Sequence, residues 1–206
     1  MIAIVDFGMG NIRSIYYKLG LLGIPAFVSS STSEIDKADG IILPGVGHFA
    51  LGIKNLENRG LLSLLNNKAI KEKVPILGIC LGMQLMTHFS EEGNCKGLGW
   101  VPATTKRFDF THSPMHYRVP HMGWNELKVC RGSKILLNLD ERKRFYFAHS
   151  YYISSDDSSL VVATTEYGIE IISVFEKDNI FGVQFHPEKS HEYGMQIFQN
   201  FMEICT

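Results

Sequence analysis

The chain holds 206 residues, 45% hydrophobic and 20% charged, which suits one folded domain with a sizeable core and excludes an extended disordered chain. Lys and Arg number 20 against 21 for Asp and Glu, a net charge of −1 that argues against a protein built to cover nucleic-acid phosphates or anionic lipid. No basic leader precedes Asp6, and the longest apolar stretch, at residues 75–86, is interrupted by Gln84 and far shorter than the ~20 residues needed to cross a bilayer, so a soluble cytoplasmic protein is expected.

Residues 2–5 are a β-branched run stopped by Asp6-Phe7-Gly8. Asn11 is positioned to cap a helix reaching about residue 22, with Ile12, Ile15, Tyr16 and Leu19 at helical spacing. Strands follow at 25–29 and 41–43, the second ended by Pro44-Gly45-Val46-Gly47, and then two helical stretches, the clearer at 61–71. A buried strand at 74–79 runs into an apolar helix at 81–89. Short strands alternating with helices predict parallel βαβ units, hence a doubly wound α/β fold whose mostly parallel sheet carries helices on both faces.

The second half is β-rich, with strands expected at 100–108, 126–129, 145–153, 160–166, 169–175 and 180–185, and a hairpin turn at Tyr167-Gly168. A closing helix at 192–204 sets Met195, Phe198 and Met202 on one face. No repeat, low-complexity linker or charge run marks a second unit, so residues 1–206 are expected to form a single domain.

Two glycine-rich turns follow strands. Gly8-Met9-Gly10 lacks the third glycine of a dinucleotide fingerprint, Arg13 standing there, and no acidic residue follows the second strand, which leaves a tight turn as the better reading. Gly78-Ile79-Cys80-Leu81-Gly82 is the thiol form of a nucleophile elbow, in which flanking glycines permit a sharp strand-to-helix turn and expose the middle side chain. A helix N-terminus beside Cys80 favours the reactive thiolate.

The remaining cysteines, Cys95, Cys130 and Cys205, are scattered, without the clustering of a structural zinc site. A thiolate nucleophile needs a base, and the base an orienting partner. His186-Pro187-Glu188, at the end of a strand, supplies both, since residues two apart on an extended backbone point to the same side. His112 and His116 have metal-like spacing, but Pro114 between them disrupts a helical face.

These motifs, Gly78-Ile79-Cys80-Leu81-Gly82-Met83-Gln84 and Gly182-Val183-Gln184-Phe185-His186-Pro187-Glu188, resemble those of the class I (triad) glutamine amidotransferases. Asp6-Phe7-Gly8-Met9-Gly10-Asn11, Leu43-Pro44-Gly45-Val46-Gly47, Pro120-His121-Met122-Gly123-Trp124-Asn125 and Tyr146-Phe147-Ala148-His149-Ser150-Tyr151-Tyr152 are similar to the glutaminase-subunit family of imidazole glycerol phosphate synthase. The resemblance implies hydrolysis of L-glutamine to glutamate and ammonia, with Cys80 as nucleophile, His186 as proton carrier and Glu188 orienting it. It implies an oxyanion hole from the backbone of Gly45 to Gly47 with the amide of Leu81. It implies that Gln84 and His149-Ser150-Tyr151 hold the α-amino and α-carboxyl groups of glutamine.

It further implies a heterodimer with a (β/α)8-barrel cyclase subunit that receives the ammonia and makes imidazole glycerol phosphate and AICAR in histidine biosynthesis. Met122, Trp124, Tyr146 and Lys189 match positions toward that partner. The chemistry calls for no metal or organic cofactor. Two departures, at residues 98–106 and at Ser190-His191-Glu192 where glycine is more usual, keep open a paralogous subunit supplying ammonia for amidino sugars of surface polysaccharides. Readings of other classes are a thiol peptidase on a similar elbow and a non-catalytic interaction subunit.

Overall fold

The β-branched run Ile2–Val5 becomes strand β1, every residue of it buried because packed layers cover both of its faces. The computed structural model describes all residues except 112, 114, 141 and 142, so the His112 and Pro114 spacing lies outside the described residues. After β1 come α1 (Ile12–Leu21), β2 (Ala26–Ser29), α2 (Thr32–Ile35), β3 (Gly40–Leu43), α3 (Phe49–Asn58), α4 (Leu61–Asn66), β4 (Ile76–Ile79) and α5 (Leu81–Leu85). The second half adds β5 (Phe89–Ser90), β6 (Cys95–Lys96), β7 (Thr104–Arg107), β8 (His121–Glu126), β9 (Lys128–Val129), β10 (Arg144–His149), β11 (Tyr151–Ser154), β12 (Val161–Glu166), β13 (Glu170–Lys177), β14 (Ile180–Val183) and α6 (His191–Ile204).

Strands β2, β1, β3, β4 and β14 lie side by side in that order and run parallel, the doubly wound arrangement expected. From β14 the sheet continues through antiparallel β13, then β11, β7, β5 and β6, while β8 and β10 form a separate antiparallel ribbon. Alternate residues of the parallel strands feed two cores. Ala3, Val5, Ile41 and Leu43 pack with Phe49, Leu56, Leu61 and Leu65 on one face. Ile2, Ile4, Ile42 and Leu77 pack with Ile15, Leu19, Ile197 and Phe201 on the other. The Tyr167-Gly168 hairpin is present, with the Tyr167 amide donating to Ile169 and Gly168 at φ +70°. Among the described residues no helix is long and apolar enough to cross a membrane.

Several boundaries differ from expectation, each for a local reason. The helix expected at 61–71 ends at Asn66 and continues as a π-helical turn, Asn67–Lys71, in which buried Lys68 reaches Asp36 at 2.9 Å and Glu72 at 2.6 Å. The helix expected at 81–89 stops at Leu85; the Thr87 hydroxyl donates to the Gln84 carbonyl at 2.8 Å, and the chain turns into β5. The strand expected at 145–153 breaks at Ser150 into β10 and β11, which join different sheets. Helix α6 buries Gly194, Ile197, Phe198 and Phe201 while Met195 and Met202 are only half-buried, because Gly194 sits where a Cβ would lie 1.8 Å from the Pro187 carbonyl oxygen.

Candidate active site

Neighbouring strands β4 and β14 pair Gly78 with Gly182 and Ile79 with Val183, so the residues after each strand emerge together at the carboxyl edge of the sheet. Cys80 follows β4 with φ +52° and ψ −108°, a conformation that costs a non-glycine residue about 1–3 kcal/mol. Its amide donates to Val183 at 2.8 Å, which ties the elbow to β14. The flanking glycines permit contacts that a side chain would block: a Cβ at Gly78 would lie 2.7 Å from the Met83 nitrogen, and one at Gly82 only 1.8 Å from the Leu43 carbonyl oxygen.

His186 follows β14, and its Nδ1 lies 3.0 Å from Glu188 Oε1, both side chains buried. The pairing expected from an extended backbone is made instead by a 3-10 turn, Pro187–Lys189, which Pro187 initiates through its fixed φ. Asn11 does not cap α1 with its side chain; its Nδ2 donates to the same Glu188 oxygen at 3.3 Å. With Nδ1 engaged by the carboxylate, Nε2 is the ring nitrogen left for the thiol. Burial alone would lower the His186 pKa, but its hydrogen bond and charge attraction to Cys80, followed by those to Glu188, raise it from 6.5 to about 10.

A cavity of about 240 Å³ opens at Cys80 and is walled by Val46, Gly47, Leu81, Gln84, Glu92, Met122, Ala148 and the segment from His149 to Tyr151. The two parts expected to form the oxyanion hole are bonded to each other, the Leu81 amide donating to the Gly45 carbonyl at 3.3 Å. Gly47, at φ +117°, lies where a Cβ would be 2.7 Å from the Met9 methyl carbon. Gln84 directs its amide hydrogens to the Tyr151 carbonyl at 2.9 Å and to Gln184 Oε1 at 3.0 Å, which leaves its carbonyl oxygen for a ligand.

His149 is buried, with Nδ1 donating to the Tyr151 carbonyl at 2.8 Å. Its Nε2 therefore accepts, and His121 Nδ1, 3.0 Å away, is the donor. Burial, then the neighbouring His121 and His186, pushes the His149 pKa down to about 3, and burial takes His121 to about 4. The His149 ring thus shapes the Ser150-Tyr151 turn and stands with it in the cavity wall, where the resemblance places the His149-Ser150-Tyr151 segment.

Sequence reasoning missed Glu92, a carboxylate of the cavity wall whose Oε2 also accepts from the Phe49 amide at 2.7 Å and so caps α3. Only its position soon after the elbow hinted at it. It also missed Asn11 as a partner of Glu188, and Ser190, whose fully buried hydroxyl donates to the His186 carbonyl at 2.6 Å and accepts from the Tyr146 amide at 3.0 Å.

Beside the cavity the β8–β10 ribbon presents one face outward. Met122 is 63% and Trp124 39% exposed, while His121 between strands points inward, as period-two alternation requires. Trp124 pairs with Tyr146 across the ribbon and stacks on His191 at 5.0 Å between ring centres; Lys189 lies 5.4 Å over the Tyr146 ring. The four residues expected at a partner face thus share one surface.

Residues 3–205 match the protein family described as glutamine amidotransferase class-I. The imidazole glycerol phosphate synthase subunit HisH 2 of Methanococcus maripaludis is 48% identical over 98% of this chain and 99% of its own length. The subunit of the same name from Pseudomonas aeruginosa is 41% identical over 99% of this chain and all of its own. The solved structure of PurLQS from Thermotoga maritima has the same fold, with a TM-score of 0.74 at 20% identity over 98% of this chain and 97% of that one. The chain therefore belongs to the class I glutamine amidotransferase family, among the HisH subunits of imidazole glycerol phosphate synthase.

Proposed function

We propose that this chain, as one glutamine amidotransferase domain in the cytoplasm, hydrolyses L-glutamine through Cys80, His186 and Glu188 and delivers the ammonia to a (β/α)8-barrel cyclase subunit. The observation that carries the reading is the arrangement at the carboxyl edge of the sheet, where Glu188 holds His186 and the imidazole is drawn by charge to Cys80, opening on a cavity with one carboxylate in its wall. The Cys80 sulfur attacks the side-chain carbonyl carbon; its bond forms, the carbon–nitrogen bond breaks, and His186 hands its proton to the leaving ammonia. Water, activated by His186, then cleaves the thioester to glutamate and frees the thiol. Glu92 and the free carbonyl oxygen of Gln84 suit the α-ammonium group, and the backbone turn at Ser150-Tyr151 suits the α-carboxylate.

Partner docking on Met122, Trp124, Tyr146 and Lys189 turns the segment from Gly45 to Gly47 away from the Leu81 amide, which frees that donor for the oxyanion. The ammonia product then serves histidine biosynthesis. A second reading, the amidino-sugar paralogue, has one observation in its favour: Ser190, in place of the more usual glycine, builds two hydrogen bonds between the triad turn and β10 and so retunes the partner face.

Ammonia release from glutamine, by the chain alone and with a histidine-pathway cyclase and its nucleotide substrate, tests both. Strong stimulation that Cys80→Ala abolishes supports the first reading. A triad that labels with an electrophilic glutamine analogue but gains nothing from that cyclase supports the second, and absence of labelling with the partner bound leaves a binding subunit only.

A further inference from the structure

Gln184 ends the approach of β14 to the triad and is wholly buried, yet the chemistry described so far gives it no task. Its Nε2 lies 3.6 Å from Cys80 Sγ and its Oε1 3.0 Å from Gln84 Nε2. Amide nitrogen and oxygen are interchangeable by a flip, so orientation must come from the hydrogen-bond network. Here the network leaves one solution. The Tyr151 carbonyl can only accept, and it lies 2.9 Å from the Gln84 amide, so Gln84 must turn its NH₂ toward it. The same NH₂ faces Gln184, which must therefore present its oxygen to Gln84 and its own NH₂ to the sulfur. His149 donating to the same Tyr151 carbonyl at 2.8 Å confirms that this oxygen is an acceptor in both directions.

We infer that Gln184 is a further catalytic residue of this site, an amide donor held on the Cys80 sulfur by the chain Tyr151 carbonyl, Gln84, Gln184. At a sulfur as buried as that of Cys80, a donor aimed at it favours the anion over the neutral thiol. Because the chain starts at the turn that lines the cavity, whatever displaces the Tyr151 carbonyl also disturbs the donor at the nucleophile. The inference rests on the assignment of Cys80 as nucleophile.

The test is the pH dependence of iodoacetamide alkylation in the full chain, followed at the Cys80 peptide by mass spectrometry so that exposed Cys130 does not contribute. Gln184→Leu removes the donor and keeps the bulk. It is expected to move the half-maximal pH of alkylation upward by about one unit, with a tenfold slower reaction on the acid side and an unchanged alkaline plateau. Gln184→Glu keeps the shape, places an anion beside the sulfur and is expected to move the curve further; a cooperative thermal unfolding transition in each variant shows that it is folded. Curves that superimpose on the wild-type one, or rates lowered equally at every pH as disrupted packing would give, overturn the inference. A Cys80→Ala protein that keeps its partner-stimulated glutaminase rate instead overturns the nucleophile assignment, so the two failures are distinguishable.

Discussion

Gly82→Ala is the substitution for which the structure makes the most severe demand. The added Cβ would lie 1.8 Å from the Leu43 carbonyl oxygen and 2.8 Å from its carbon, whereas ordinary contact begins at 3.4 Å; the shortfall of 1.6 Å falls on backbone at both ends, where no side chain can swing aside. Either β3 or the elbow has to move. Because Cys80 is fixed from the other side by the hydrogen bond its amide donates to the Val183 carbonyl, displacement of the elbow shifts the sulfur against His186. A misplacement of about 1 Å at a reacting centre costs on the order of 100-fold in rate, and overpacking costs about 1–3 kcal/mol of stability.

The expected result is a fall in kcat/KM for glutamine of about 100-fold or more with the partner bound, and a Tm lower by several degrees at about 2–4 °C per kcal/mol. Ammonia release and thermal unfolding measure the two. Gly20→Ala is the control: nothing lies within 4 Å of its Cβ position in α1, so it should leave the rate unchanged and stabilise by about 0.5–1 kcal/mol. A Gly82→Ala enzyme with the wild-type kcat/KM would refute the claim that the elbow's close packing positions the nucleophile.

Three further outcomes follow from the same geometry. Glu188→Gln keeps the size but removes the anion that holds His186 Nδ1; kcat is expected to fall by about 10²–10⁴-fold, and a loss below tenfold would count against the orienting role. His121 and His149 are held neutral, with pKa values lowered from 6.5 to about 4 and about 3. Their contribution is present above pH 6.5 and is lost as pH falls toward those folded values, because the unfolded chain takes up protons first. Unfolding free energies from urea titrations should therefore fall between pH 7 and pH 5, by up to about 1.4 kcal/mol per pH unit for each ring, and a rise would contradict the neutral state of the two rings. In the Cys80→Ala protein the His186 pKa, now raised to about 10 with Cys80 as its largest favourable partner, should move down; an NMR titration that leaves it unchanged would show that Glu188 alone holds the imidazolium.

The proposed triad was legible because its parts sit in local motifs, each a strand end followed by a characteristic turn. Cys80 between its glycines and His186 before Pro187 announce themselves within a few residues. The parallel half of the sheet was legible for a similar reason, since each apolar run of β1, β3 and β4 is terminated by a turn. The helix expected at 81–89 failed because apolar residues continue past Leu85 for a different purpose: Met86 and Thr87 pack under the return of β5 and β7. Nearly all of β8 was missed, the strand expected at 126–129 meeting it only at Glu126, because its alternation starts at a histidine buried by Phe147, His149 and Tyr167 from other stretches of chain. Glu92, Asn11 and Ser190 act through partners brought close by the fold from distant stretches of chain, and no spacing rule reaches that far.

The pairing of β4 with β14 has a bearing on how the chain acquires its activity. Those two strands stand side by side, yet Gly78 meets Gly182 across a loop that contains nearly every antiparallel strand of the molecule. Closing a loop of about 100 residues costs roughly 4 kcal/mol of chain entropy before any contact rewards it. During synthesis β1, β2, β3 and β4 can associate long before β14 leaves the ribosome, which leaves β4 as an open apolar edge, the kind of surface that invites mispairing. Completion of that edge and assembly of the proposed nucleophile with its proposed base are one event, so on this reading a partly made chain has neither a closed sheet nor the means to cleave glutamine.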